Sequence, residues 1–184
     1  DFTTNITKNI TLYANWIEES SEEPSDEPNK PIETNEPNDW ENPFDDVDND
    51  DWFYEDIKKA YESGLFSGVT DTSFAPDEAI TRGMTVTVLY RAEGEPFVTG
   101  ESKFEDVASD AYYTNAVIWA ENNGIVKGYS KIEFAPDKLI SREEMAAIIN
   151  RYADSKGVDT SVRGDLMKFA DQSRIADWAR ENVA

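Results

Sequence analysis

The sequence predicts a mainly α chain. It reads as a two-helix unit used more than once, preceded by an acidic disordered linker and a short β segment. Three observations lead there. The stretch from Phe44 to Arg91 returns from Phe104 to Arg151: F-D-D-V and F-E-D-V, G-L-F-S-G and G-I-V-K-G, F-A-P-D twice, I-T-R and I-S-R, L-Y-R and I-N-R. Phe44, Asp46, Val47, Gly64, Gly68, Phe74, Ala75, Pro76, Asp77, Ile80, Arg82 and Arg91 all recur 60 residues later without a gap, and self-similarity at a fixed period marks one structural unit repeated. Within each copy the apolar residues fall at helical spacing. Finally, five of the eight prolines crowd into residues 17–43 among Glu, Asp, Ser and Asn, a composition that cannot bury enough apolar surface to offset the entropy of ordering.

Taken in order, residues 2–16 read as a strand and its approach. Ile10, Leu12 and Ala14 alternate with Thr11, Tyr13 and Asn15, the period of a half-buried strand. Residues 17–43 are the linker, extended by its prolines and like charges. The first copy, 44–96, opens with Trp52, Phe53, Ile57, Ala60 and Tyr61 at helical spacing, and Gly64 stands where a left-handed C-cap would sit. In F-A-P-D, Pro76 blocks a helix and Asp77 favours a turn. Thr81 then caps a second helix from Arg82 to about Ala92, with Val86, Leu89 and Tyr90 inward. The second copy, 97–157, repeats this with Tyr112, Tyr113, Val117 and Ala120 on its first helix. Ser141 and Glu144 form a capping box there, where the first copy has Thr81 and Met84. Gly83 should weaken the first turn of the first copy's second helix. Residues 158–184 are a connector and the start of a third copy: F-A-D at 169–171 matches F-D-D, Trp178 matches Trp52 and Tyr112, and Val183 matches Ile57 and Val117. That copy stops inside its first helix, so the chain reads as a piece of a longer polypeptide.

Composition excludes several functions. The 184 residues carry 17 Lys and Arg against 39 Asp and Glu, a formal charge of −22, which opposes binding to nucleic acid or to anionic lipid. With no cysteine there are no disulfides or thiolate ligands, and with no histidine there is no conventional triad or catalytic zinc. No apolar run is long enough to span a membrane. A carboxylate pair of glycosidase type means little among 39 acids, and no enzyme active site is expected. Asp46, Asp48 and Asp50 match EF-hand positions 1, 3 and 5, but Asp51 and Ile57 stand where Gly and Glu are required. Neither a metal nor a cofactor is expected.

The pattern F-x-D-V, an early aromatic, G-hydrophobic-hydrophobic-x-G, F-x-P and I-T-R-x-E resembles the S-layer homology repeat over residues 44–152 and in part over 169–184. The ending I-T-L-Y-A-N-W near residue 16 resembles the last strand of Listeria–Bacteroides or internalin-B-type β-grasp repeats. The first resemblance implies three repeats in a pseudo-threefold helical prism, here with the third truncated. It also implies a secreted protein held noncovalently at the cell wall or surface layer of a Gram-positive cell. The typical ligand is an anionic secondary cell-wall polymer with pyruvate ketals on amino sugars. The resemblance carries the binding role onto Arg82 and Arg142, and less directly onto Asp46, Asp106, Asp171, Gly68 and Gly128. Physically, Thr81-Arg82 and Ser141-Arg142 each place a guanidinium fork at a helix N-terminus, where free N–H groups and the dipole favour an anion. The alternative for each arginine is a structural salt bridge. For Trp52, Tyr112 and Trp178 the apolar stripe predicts core packing, with stacking on a sugar ring as the functional alternative. Here T-R-G-M and S-R-E-E depart from T-R-A-E, which makes Ser141-Arg142 the better-formed site. Two other functions stay open: self-assembly or protein contact in a surface layer without glycan recognition, and a non-catalytic part of a secreted glycan-active enzyme.

Overall fold

A computed structural model describes residues 40–184. The β segment expected over residues 2–16, and the linker up to residue 39, lie outside the described residues. Within them the architecture is mainly α: α1 (Tyr54–Glu62), α2 (Arg82–Ala92), α3 (Thr114–Asn122), α4 (Arg142–Ser155), three short 3-10 turns at Leu166–Lys168, Gln172–Arg174 and Asp177–Ala179, and a short α5 (Arg180–Val183). Strand pairing among the described residues is limited to two isolated bridges, Thr70 with Ser73 and Thr81 with Leu139. No described helix is long and apolar enough to cross a membrane.

The second helices start where their caps dictate. The Thr81 hydroxyl accepts the Met84 N–H at 3.2 Å, and Val86, Leu89 and Tyr90 are buried. At α4 the Ser141 hydroxyl accepts the Glu144 N–H at 3.3 Å while Glu144 Oε2 accepts the Ser141 N–H at 2.9 Å, which closes the capping box. The first helices start later than their apolar stripes suggest. Trp52 and Tyr112 precede α1 and α3 in a turn, and each is 62% exposed. Tyr54 and Tyr113 take the inward places, and Trp52 and Tyr112 lie edge-on against Phe53 and Tyr113, with ring centroids 5.4 and 4.9 Å apart. Trp178 is 55% exposed as well. Core packing, expected for all three, is therefore replaced by exposure at equivalent places.

Each F-A-P-D segment bends through an alanine with positive φ, 58° at Ala75 and 57° at Ala135. A left-handed residue with a Cβ costs roughly 1–2 kcal/mol. A carboxylate holds each bend. Asp46 accepts the Phe74 N–H at 2.8 Å, the Ala75 N–H at 2.7 Å and the Ser73 hydroxyl at 2.8 Å. Asp106 accepts the Phe134 N–H at 2.9 Å and the Ala135 N–H at 2.6 Å. Desolvation pushes the Asp46 pKa up, but the hydrogen bonds from Phe74, Ala75 and Ser73 outweigh it and leave the group below its ordinary value. Gly68 and Gly128 pass beneath the same loops. A Cβ on Gly68 would lie 2.6 Å from the Phe44 ring and 2.7 Å from the Ser73 carbonyl oxygen, and one on Gly128 would strike the Phe104 ring.

The main core joins the copies. Val86, Leu89 and Tyr90 of α2 pack with Phe104, Val117, Trp119, Ala120, Ile125, Phe134, Ile140 and Ile148 of the second copy. The second helix of one copy lies on the first helix of the next: α2 packs on α3, and α4 packs on α5 and the Asp177–Ala179 turn. Backbone hydrogen bonds reinforce the first junction, from Arg82 N–H to the Lys138 carbonyl (2.9 Å), Gly83 N–H to the Pro136 carbonyl (2.8 Å) and Ile140 N–H to the Ile80 carbonyl (3.1 Å). At its far end Glu93 receives hydrogen bonds from the Tyr152 hydroxyl and from Lys156 Nζ, the latter at 2.8 Å. A satellite core of Phe44, Val47, Tyr54 and Ile57 serves the first copy, and Trp40 joins it with its ring centroid 5.3 Å from that of Tyr54. Ile175 and Ala179 form a small C-terminal cluster. The two first helices differ in what they bury. Ala116, Ile118 and Trp119 of α3 are in the core, whereas Asp56, Lys58 and Lys59 hold the same positions in α1.

Candidate functional site

Arg82 opens α2 and is only 6% exposed. Its Nε donates to the Phe134 carbonyl at 2.9 Å, its guanidinium lies 4.5 and 4.8 Å from the ring centroids of Tyr129 and Phe134, and Nη1 is 4.0 Å from Glu144 Oε1. Every part of this seat comes from the second copy. Burial lowers the Arg82 pKa, opposed by the charges of Glu144 and then Asp106, and the guanidinium stays charged at any ordinary pH. Glu144 is itself heavily engaged. Oε1 accepts the Tyr129 hydroxyl and lies 3.5 Å from Lys138 Nζ, while Oε2 belongs to the capping box. Lys138 Nζ also donates to the Tyr129 hydroxyl at 2.6 Å.

These groups border a cavity of about 320 Å³ where the two copies and the C-terminal segment meet. Arg82, Lys127, Gly128, Tyr129, Glu144, Arg151 and Trp178 line it, and Val126, Ala147 and Ile148 complete its apolar part. Three cations face one carboxylate, on a protein whose acids outnumber its basic residues 39 to 17. The arrangement suits a small anion carried on a body with an apolar face, since Trp178 offers a flat, half-exposed ring in the same cavity as two guanidinium groups.

Of the residues singled out in the sequence, Arg82, Gly128 and Trp178 meet at this cavity. Thr81 caps the helix that delivers Arg82. Arg142 and Ser141 do not line it: Arg142 is exposed at the start of α4, and Ser141 is occupied in the capping box. The seat that Arg82 enjoys is built by residues 129–144 of the second copy. Trp52 and Tyr112 are exposed elsewhere, and Asp46, Asp106 and Gly68 serve the loops described above. Asp171, half-buried, opens the Gln172–Arg174 turn. The anion-binding helix start expected at Thr81-Arg82 is corrected in one respect. The amides of Arg82, Gly83 and Met84 are already bonded to Lys138, Pro136 and Thr81, so an anion here would meet side chains rather than the helix end. Among the described residues no group of acids is arranged to hold a metal ion.

Sequence reasoning missed Lys127, Tyr129 and Arg151 and saw Glu144 only as a cap. A signal was available. At the equivalent positions the first copy has Ser67, Val69 and Met84 in place of Lys127, Tyr129 and Glu144, so these three lining residues set the second copy apart.

Comparison with known proteins agrees with the repeat. The family model of the S-layer homology domain matches residues 43–83 and 103–146. The chain is similar to a surface-layer 125 kDa protein of Lysinibacillus sphaericus, 33% identical over 126 residues, covering 68% of this chain and 10% of that protein. It is similar to an endoglucanase of Bacillus sp. (strain KSM-635), 31% identical over 141 residues, 77% of this chain and 15% of the enzyme. It is also similar to a cellulosome-anchoring protein of Acetivibrio thermocellus, 29% identical over 149 residues, 77% of this chain and 31% of that protein. In each case the chain spans less than a third of its relative's length.

Proposed function

We propose that the S-layer homology domain carried by this chain at residues 43–83 and 103–146 is the attachment segment of a larger secreted surface protein. Such a domain is a non-catalytic module, and it places its protein at the cell wall or surface layer. What supports the larger setting is the company the sequence keeps. The similar stretch is a minor part of an endoglucanase, of a surface-layer protein and of a cellulosome-anchoring protein. A non-catalytic part of a glycan-active enzyme, or of a surface-layer subunit, fits all three.

The ligand we propose is a secondary cell-wall polymer bearing acidic substituents, pyruvate ketals on amino sugars. One observation carries this reading: the cavity with three cations and one already engaged carboxylate on a chain of net charge −22. Its volume is at the low end for ligand pockets, room for a sugar unit with its substituent rather than a long oligosaccharide. Packing of each second helix on the next first helix suits a prism of three copies, with residues 158–184 contributing to the third. The internalin-type repeat at residues 1–16 stays part of the proposal as a neighbouring surface-protein module.

Co-sedimentation with purified Gram-positive cell walls tests it. The chain is expected to pellet with walls that carry the polymer and to stay in solution once the polymer is extracted. Mild acid that removes pyruvate should release it. Binding that survives polymer extraction would refute glycan attachment and favour a protein contact. Binding that survives only the loss of pyruvate would refute the ketal.

A further inference from the structure

Arg151 is a half-buried charge at the cavity, whereas Lys127 is exposed to solvent. The same position in the first copy, Arg91, has structural work: it donates to the Leu65 carbonyl at 3.2 Å and lies 3.7 Å from Glu95. In the second copy the acid is gone, because Ser155 stands where Glu95 would be. Arg151, half-buried on the cavity wall, has no hydrogen bond or ion pair among the described residues. Burial lowers its pKa, and the positive charge of Arg82 lowers it further. Two guanidinium groups thus feel each other across the same space. Glu144 cannot serve both, since Tyr129, Lys138, Ser141 and Arg82 already share its two oxygens. Like charges left together in a partly desolvated place are stabilised when an anion comes between them.

We propose that Arg151 makes the direct contact with the acidic group of the ligand, and that Arg82, fixed by its carbonyl bond and its ring contacts, is the second cation of the same grip. The proposal rests on the reading of this cavity as an anionic-glycan site and adds the residue that does the holding. It also changes what Arg82 does. Its Nε is spent on Phe134 and its face on two rings, so it contributes a fixed charge, whereas the guanidinium donors of Arg151 have no partner among the described residues.

The test uses a defined probe, a methyl glycoside of N-acetylglucosamine carrying a 4,6-linked pyruvate ketal, beside its uncharged methyl ester. Binding of each is measured by titration calorimetry or NMR to the wild-type chain and to Arg151→Gln, Arg151→Lys and Arg91→Gln variants. The wild type should prefer the acid. Arg151→Gln should weaken acid binding by roughly tenfold to a hundredfold, the loss of one charge-assisted hydrogen-bonded contact, and should leave ester binding unchanged. Arg151→Lys should recover part of the preference, and Arg91→Gln should keep all of it. Melting temperature serves as the folding check, and Arg151→Gln is expected to leave it near the wild-type value. A wild type that prefers the acid, with Arg151→Gln binding it equally well, overturns this inference alone. A wild type that does not distinguish acid from ester overturns the anionic-ligand reading and the inference with it.

Discussion

Replacing Gly83 by alanine sets two effects of opposite sign against each other. Gly83 is the second residue of α2, and helix propensity favours alanine there by about 1 kcal/mol. Against this stands the neighbouring copy. A Cβ at this place would lie 3.0 Å from Tyr113 Cδ1, 3.2 Å from its Cγ and 3.1 Å from the Pro136 carbonyl oxygen, closer than the roughly 3.5–4.0 Å at which carbon atoms pack best. Neither neighbour yields easily. Tyr113 is buried and lies against Tyr112, and the Pro136 oxygen accepts the N–H of Gly83 itself at 2.8 Å. Overpacking of this kind costs about 1–3 kcal/mol. With the propensity gain subtracted, Gly83→Ala should destabilise the domain by about 1 kcal/mol. Urea unfolding gives the net value. Hydrogen exchange at the Arg82 and Gly83 amides reports whether the junction has opened, since both donate across it. A variant more stable than wild type by the propensity value, with those amides still protected, would refute the steric argument.

Two further perturbations read other parts of the same junction. Asp106 holds the Phe134 and Ala135 amides while the Phe134 carbonyl receives Arg82, so Asp106→Ala should cost about 2 kcal/mol, and a double-mutant cycle with Arg82→Met should show coupling between the two. The Glu93–Tyr152–Lys156 cluster should limit stability at both pH extremes. Hydrogen bonds from Lys156 and then Tyr152 lower the Glu93 pKa, so its contribution is present above the unfolded-state value and is lost as pH falls through the folded one. Burial, then the hydrogen bond and charge of Glu93, push Tyr152 up from 10.0 to about 12, so its contribution is full below pH 10 and disappears as pH rises through about 12. Chemical denaturation across pH should show both limbs; Glu93→Gln should flatten the acidic one and Tyr152→Phe the alkaline one, and an unchanged profile in either variant would rule out that group.

What the sequence disclosed is what is set locally. The starts of α2 and α4 follow from Thr81 and Ser141, whose hydroxyls reach amides three residues on, and the end of α1 follows from Gly64, whose φ of 71° a residue with a Cβ resists. The places of Trp52 and Tyr112 were not so visible, because one turn before a helix start shifts a side chain from the inward stripe to the outside. Gly83 shows a related limit of local reading: propensity describes an isolated helix, and this glycine also lies against a tyrosine 30 residues away.

The site was hidden by the very symmetry that reveals the fold. The local motifs favour Ser141-Arg142 through its capping box, yet Arg82 is the arginine held by residues 129–144 of the next copy, and Arg142 is exposed. Residues kept in both copies, such as the aspartates beneath the F-A-P-D bends and the glycines beside them, are accounted for by backbone geometry alone. The cavity combines kept residues, Arg82, Gly128 and Arg151, with ones that changed. Lys127 replaces Ser67, Tyr129 replaces Val69, Glu144 replaces Met84, and Arg151 lacks the acid that Arg91 keeps. Core building follows the same logic, for α3 has Ala116, Ile118 and Trp119 where α1 has Asp56, Lys58 and Lys59, and α3 is the buried helix. In a repeated unit, then, identity between copies reports what each unit needs in order to fold. Difference between copies reports what each does in its own place, and Lys127, Tyr129 and Glu144, set around an arginine from the first copy, are such differences.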